Sequence, residues 1–138
     1  MNNIEHIGIA VKNLKDSNDF FSKLFGQPHY KIEEVKSEGV ITAFFKIGNH
    51  KIELFEATNP ESPIAKFIDK KGEGIHHIAF DVDDIESEIK RLTKEGFIVL
   101  NETPKKGADN KLVAFLHPKS TNGVLIELCQ EIKGDIKE

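Results

Sequence analysis

The stretch Ile4-Glu5-His6-Ile7-Gly8-Ile9-Ala10-Val11 returns 71 residues later (6 to 77) as Ile75-His76-His77-Ile78-Ala79-Phe80-Asp81-Val82. In both copies large aliphatic residues alternate with small or polar ones, the pattern of a β-strand whose two faces differ. A polar start follows each, Asn13 to Asp16 and Asp83-Asp84, suited to capping a helix. Helices are predicted over roughly 16–25 and 84–95. Phe20, Phe21 and Leu24 recur at helical spacing in one, Ile85, Ile89 and Leu92 in the other. Gly26 and Gly96 stop them, where a left-handed cap is easiest.

Working outward, three more strands are predicted in each copy, over 29–35, 39–47 and 50–57, then 97–101, 111–117 and 123–129. Gly48-Asn49 and Thr121-Asn122-Gly123 are hairpin signals before the last strands. Those last strands also repeat: Lys51-Ile52-Glu53-Leu54 against Leu125-Ile126-Glu127-Leu128. The predicted fold is α+β. Two pseudo-symmetric βαβββ modules, about 4–58 and 74–130, form one open, curved mixed sheet with helices on its outer face. A linker over about 59–73, marked by Pro60 and Pro63, carries a short helix near 64–69, and a charged tail over 131–138 is expected to fray. Neither module is expected to bury its sheet alone, so residues 1–138 are predicted to be one domain.

The bulk properties agree. A chain of 138 residues has the size of one domain. Its formal charge of −4 and its lack of a basic stripe argue against nucleic acid as a partner. No apolar run approaches membrane-spanning length, and the start of the chain lacks the pattern of a signal peptide. The single Cys129 rules out an internal disulfide and is expected to be a reduced thiol. The expectation is a cytoplasmic protein with no membrane partner.

Strand alternation then places four residues. His6 shares a face with Gly8 and Ala10, and His77 with Ala79. Glu53 stands between Ile52 and Leu54, and Glu127 between Ile126 and Leu128, so each carboxylate points away from its aliphatic neighbours. Each module thus offers one histidine and one glutamate at equivalent places. If a pseudo-two-fold axis relates the modules, His6, Glu53, His77 and Glu127 meet around one divalent ion. Two imidazoles and two carboxylates suit Co²⁺, Ni²⁺, Zn²⁺ or Mn²⁺. Each residue alone reads as an ordinary strand residue; the matched set carries the metal reading. His76 points the other way and reads as structural. His29 and His50 read as solvated, and His117 as a surface or pocket-rim residue.

The paired βαβββ modules with this His…Glu…His…Glu set resemble the vicinal oxygen chelate superfamily. The stretch Gly72-Glu73-Gly74-Ile75-His76-His77 and the turn His117-Pro118-Lys119-Ser120 resemble its methylmalonyl-CoA epimerase branch, over about residues 4–130. That resemblance implies epimerisation of methylmalonyl-CoA by removal and return of the proton α to the thioester, through a metal-stabilised enolate. It implies Glu127 as first base and Glu53 as second. Two opposed bases suit a reaction on both faces of one carbon. Gly39 to Phe45 of the third strand contains no acid to compete with them. Lys119 and Ser120 are candidates for the acyl-CoA substrate, with a solvated turn as the alternative. Lys105, Lys106 and Lys111 mark a basic loop, read as solvated with a lid as the minority reading. Family members commonly pair, so a homodimer is expected. The alternative activity is that of glyoxalase I (lactoylglutathione lyase), acting on a glutathione adduct. Lower stands a metal-free binding or resistance protein, because the four ligands are retained.

Overall fold

The computed structural model describes residues 1–133. In chain order its elements are β1 (Asn3–Ala10), α1 (Leu14–Phe25), β2 (Lys31–Val35), β3 (Val40–Ile47), β4 (His50–Ala57), α2 (Pro63–Lys71), β5 (Gly74–Asp81), α3 (Ile85–Lys94), β6 (Lys105–Lys106), β7 (Lys111–Leu116) and β8 (Ile126–Glu131). The strands belong to one mixed sheet, ordered β2-β3-β4-β1-β5-β8-β7-β6. This is an α+β fold. By contacts the chain divides into two compact units. One is His6–His76; the other is Met1–Glu5 with the chain from His77 onward.

In the unit His6–His76, β1 runs parallel to β4, and β4 and β2 flank β3 antiparallel. The Asn13 side chain caps α1 by accepting from the Asp16 N–H, and Gly26 ends it at φ 72°. α1 lays Leu14, Phe21 and Phe25 against Val11, Ala43, Phe45 and Leu54. The opposite sheet face is closed in part by α2, whose Ile64, Phe67 and Ile68 pack on Ala10, Val40 and Phe55. The His76 ring stands edge-on to Phe67 at 4.8 Å. Gly39, at φ 64°, turns β2 into β3 where a Cβ would meet the Asn59 side chain at 2.9 Å, so a side chain there would be both strained and crowded.

The other unit repeats the plan. β5 runs parallel to β8, and β7 lies antiparallel between β8 and β6. Asp84 caps α3 at the Ser87 N–H. α3 packs Ile85, Ile89 and Leu92 on Val82, Ala114, Leu116 and Leu128. Cys129 is fully buried, and burial pushes its thiol pKa far up, so it is an inert core residue.

Four expectations need correction. Residues 97–101 do not form a strand. The Leu100 N–H donates to the Phe115 carbonyl and the His117 N–H to the Ile98 carbonyl, but the Asn101 side chain takes the Phe115 N–H that a ladder would use. The paired strand comes later, at Lys105–Lys106. The last strand starts at Ile126 rather than 123, because Gly123 at φ 85° still belongs to the turn after Pro118. His29 is not simply solvated: its Nδ1 is buried without a hydrogen-bond partner among the described residues, beside the Phe45 ring. The expected fraying tail is paired to Glu131, and its last residues, 134–138, lie outside the described residues.

Candidate functional site

Each unit buries one histidine–glutamate pair. In His6–His76, β1 and β4 align Gly8 with Glu53, and His6 stands two residues before Gly8. This brings His6 Nδ1 to 3.2 Å from Glu53 Oε2. In the other unit, β5 and β8 align Ala79 with Glu127, and His77 stands two residues before Ala79. His77 Nε2 lies 2.9 Å from Glu127 Oε1. The small residue predicted beside each histidine is therefore the one aligned with the glutamate, which leaves room for the imidazole.

All four side chains are shielded from water: His6 is 6% exposed, Glu53 3%, His77 4% and Glu127 6%. Within each unit the histidine and glutamate are thus as buried as the helix-packed core, contrary to the simple picture of a core on one side of the strands only. Buried carboxylates need a positive counterpart. Imidazole nitrogen and carboxylate oxygen already in contact, out of water, are the donor types that a borderline divalent ion takes. The residues present fit such an ion.

Each glutamate also faces a phenylalanine on the neighbouring antiparallel strand. Phe44 of β3 is opposite Glu53, and Phe115 of β7 is opposite Glu127. Phe44 is wholly buried. The Phe115 ring meets His77 edge-on at 6.0 Å. Sequence reasoning passed over this matched pair. The signal was available, because the two phenylalanines are 71 residues apart (44 to 115), the offset of the histidines.

The approaches to both helices repeat as well. Glu56 Oε1 accepts from the Leu14 N–H at 2.6 Å, and Gln130 Oε1 accepts from the Ile85 N–H at 2.8 Å. These bonds tie the strand that carries each glutamate to the helix that follows each histidine. Lys119 and Ser120 lie on the turn after β7. The Ser120 hydroxyl accepts from the Ile98 N–H and donates to the His117 carbonyl, so the turn itself uses it. His117 Nδ1 accepts from the Lys119 N–H, and the Lys119 side chain is exposed. Of the basic loop, Lys111 lies 4.0 Å from Glu5. A surface hollow beside the start of α1, lined by Val11, Asn13, Phe20 and Glu73, contains none of the four candidate ligands.

The sequence model of the Glyoxalase/Bleomycin resistance protein/Dioxygenase superfamily matches residues 5–115. The chain belongs to that superfamily. Within it, the chain is 43% identical over 126 residues to the mitochondrial methylmalonyl-CoA epimerase of Dictyostelium discoideum, covering 91% of this chain and 76% of that one. It is 39% identical over 129 residues to the ethylmalonyl-CoA/methylmalonyl-CoA epimerase of Cereibacter sphaeroides, covering 92% and 96%. Among solved structures of the superfamily, a Streptomyces coelicolor methylmalonyl-CoA epimerase variant in complex with 2-nitronate-propionyl-CoA superposes with a TM-score of 0.91 at 34% identity, covering 95% of each chain. The chain is thus an epimerase-like isomerase of the superfamily.

Proposed function

We propose that this protein interconverts the two epimers of methylmalonyl-CoA, with His6, Glu53, His77 and Glu127 holding one divalent ion. The observation that carries the reading is the buried histidine–glutamate contact present in each half at matching strand register, in a chain that aligns with epimerases over nearly its whole length. Bound there, a divalent ion supplies Lewis acidity toward substrate oxygens. The chain's own groups do the rest. Glu127 takes the proton from the carbon α to the thioester, and the electron pair left behind spreads onto the thioester oxygen. Glu53, the equivalent group of the other half, serves the opposite face of the planar carbon, so a proton returned there inverts the centre. Phe44 and Phe115 exclude water beside the two carboxylates, which strengthens each charge interaction.

The acyl-CoA reading also gives Lys119 a task, since an exposed lysine on a turn suits a phosphate of the CoA portion. We place the enzyme in the cytoplasm as a homodimer. The free buried thiol of Cys129 suits a reducing compartment, and exposed Phe20, Leu24 and Ile75 suit a partner surface. The test uses each pure epimer of methylmalonyl-CoA in deuterated water, beside a methylglyoxal–glutathione assay. Epimerisation with deuterium uptake, and no product from the hemithioacetal, is the expected result. Turnover of the hemithioacetal alone would replace this reading with glyoxalase I. Sedimentation at micromolar concentration giving only a species of the 15.5 kDa chain mass would remove the dimer.

A further inference from the structure

β3 carries a hydroxyl that the fold does not use. Thr42 is 0% exposed, and its Oγ1 has no hydrogen-bond partner among the described residues. A buried hydroxyl without a partner is unfavourable, and proteins tolerate few of them. Thr42 pairs with Phe55 across β4, one step along the sheet from the Phe44–Glu53 pair on the same face. It also aligns with Glu33 of β2, while Lys31, opposite Phe44, places its ammonium 4.6 Å from the Phe44 ring centre. The unpartnered hydroxyl thus borders Glu53 on the face that carries the candidate ligands.

The repeat supplies an internal control. The residue 71 places later (42 to 113) is Val113, in the same strand position and also buried, at 5%. A β-branched apolar side chain therefore satisfies the packing at this point of the module. The hydroxyl is an addition specific to the first half, and packing gives no reason for it.

We propose that Thr42 is a substrate-contacting residue whose hydroxyl donates a hydrogen bond to an oxygen of the free carboxylate of the bound acyl group, which keeps its charge when the α-proton leaves. The inference rests on the epimerase reading and deepens it: it assigns recognition of the acyl oxygens to the first half of the repeat. Val40 and Phe55, neighbours of Thr42 on this face, lie under α2, so bulk water does not reach the hydroxyl. A group admitted beside Glu53 is what satisfies it. The contact lies away from the α-carbon and serves ground state and transition state alike, so it acts on binding.

The experiment compares wild type, Thr42→Val and Thr42→Ser in kcat, KM and melting temperature with methylmalonyl-CoA. Thr42→Val copies the second half and removes the orphan hydroxyl. Its melting temperature is expected to equal or exceed that of wild type, while KM rises about tenfold and kcat changes little. Thr42→Ser restores the donor and brings KM back toward wild type. Wild-type KM and kcat in Thr42→Val overturn this inference alone. A raised KM that Thr42→Ser fails to lower also overturns it, because shape rather than the hydroxyl is then responsible. A wild-type enzyme that exchanges no α-proton overturns the epimerase reading, and this inference with it.

Discussion

The two halves of the chain solve one structural problem twice with different residues. Both place a histidine two positions before a small residue, and both align that small residue with a glutamate. Both then send the strand into a helix capped by an Asx side chain, Asn13 or Asp84. The differences lie next to these shared parts. The bond to the helix approach comes from a carboxylate in one half, Glu56, and from an amide in the other, Gln130. The imidazole meets its glutamate through Nδ1 in the first half and through Nε2 in the second. α2 covers part of the ligand-bearing face in the first half, where Ala10, Val40 and Phe55 lie. The corresponding cluster of Ala79, Val113, Cys129 and Phe115 includes no helix residue among the described residues. The repeat therefore preserves the strand register and the histidine–glutamate contact, and varies the groups packed around them.

The largest expected effect comes from breaking the equivalence of the glutamates. Glu127→Gln keeps size and an oxygen donor but loses the proton acceptor. Its kcat is expected to fall about 10²–10⁴-fold with little change in KM. Glu53→Gln is expected to lose deuterium uptake from one epimer while keeping it from the other. Equal losses from both epimers in both variants, measured by mass spectrometry, would show that the halves do not divide the two faces.

Next come the histidines. His6→Ala and His77→Ala are each expected to bring bound metal well below one ion per chain by elemental analysis. Each also leaves a buried carboxylate without its neighbour. A melting temperature lower than wild type is therefore expected in metal-free protein as well. Retention of metal in both variants would remove the shared site.

A smaller effect separates the helix approaches. A hydrogen bond contributes about 1.5–3 kcal/mol net when its acceptor is charged and about 0.5–1.5 kcal/mol when it is neutral. Glu56→Ala should therefore destabilise more than Gln130→Ala in urea unfolding. Glu56→Gln, which copies the second half, should cost less than either. A reversed order would mean that the two bonds are not equivalent parts of the repeat.

The smallest effect is a surface asymmetry at α3. Glu88 is held below the usual carboxylate range, first by its hydrogen bond from Arg91 at 2.7 Å and further by Arg91 and N-terminal charge. A carboxylate with a depressed folded pKa stabilises the fold above its unfolded pKa, and that contribution disappears as pH falls through the folded value. Arg91→Ala should slightly lower stability near neutrality and converge with wild type in acid, as read from unfolding curves over pH.

Much of this was legible in the sequence because it rests on local patterns. Alternation put His6 and His77 on the faces of Gly8 and Ala79, and the Asx and glycine signals placed α1 and α3 to within two residues at each end. The equivalent places of one histidine and one glutamate in each module follow from spacing along the chain; that each histidine touches its own glutamate does not. Other features depended on partners distant in the chain. Asn101 reads as a strand end, yet its side chain replaces a ladder bond on Phe115. Ser120 reads as a possible ligand contact, yet Ile98 and His117 use its hydroxyl. Thr42 sits in an apolar run and carries no charge to mark it. Only a buried hydroxyl without a partner among the described residues sets it apart from Val113. Periodicity fixes which way a side chain faces, because that depends on backbone geometry over a few residues. Whether its polar atoms are satisfied depends on what tertiary packing brings alongside, and no local pattern encodes that.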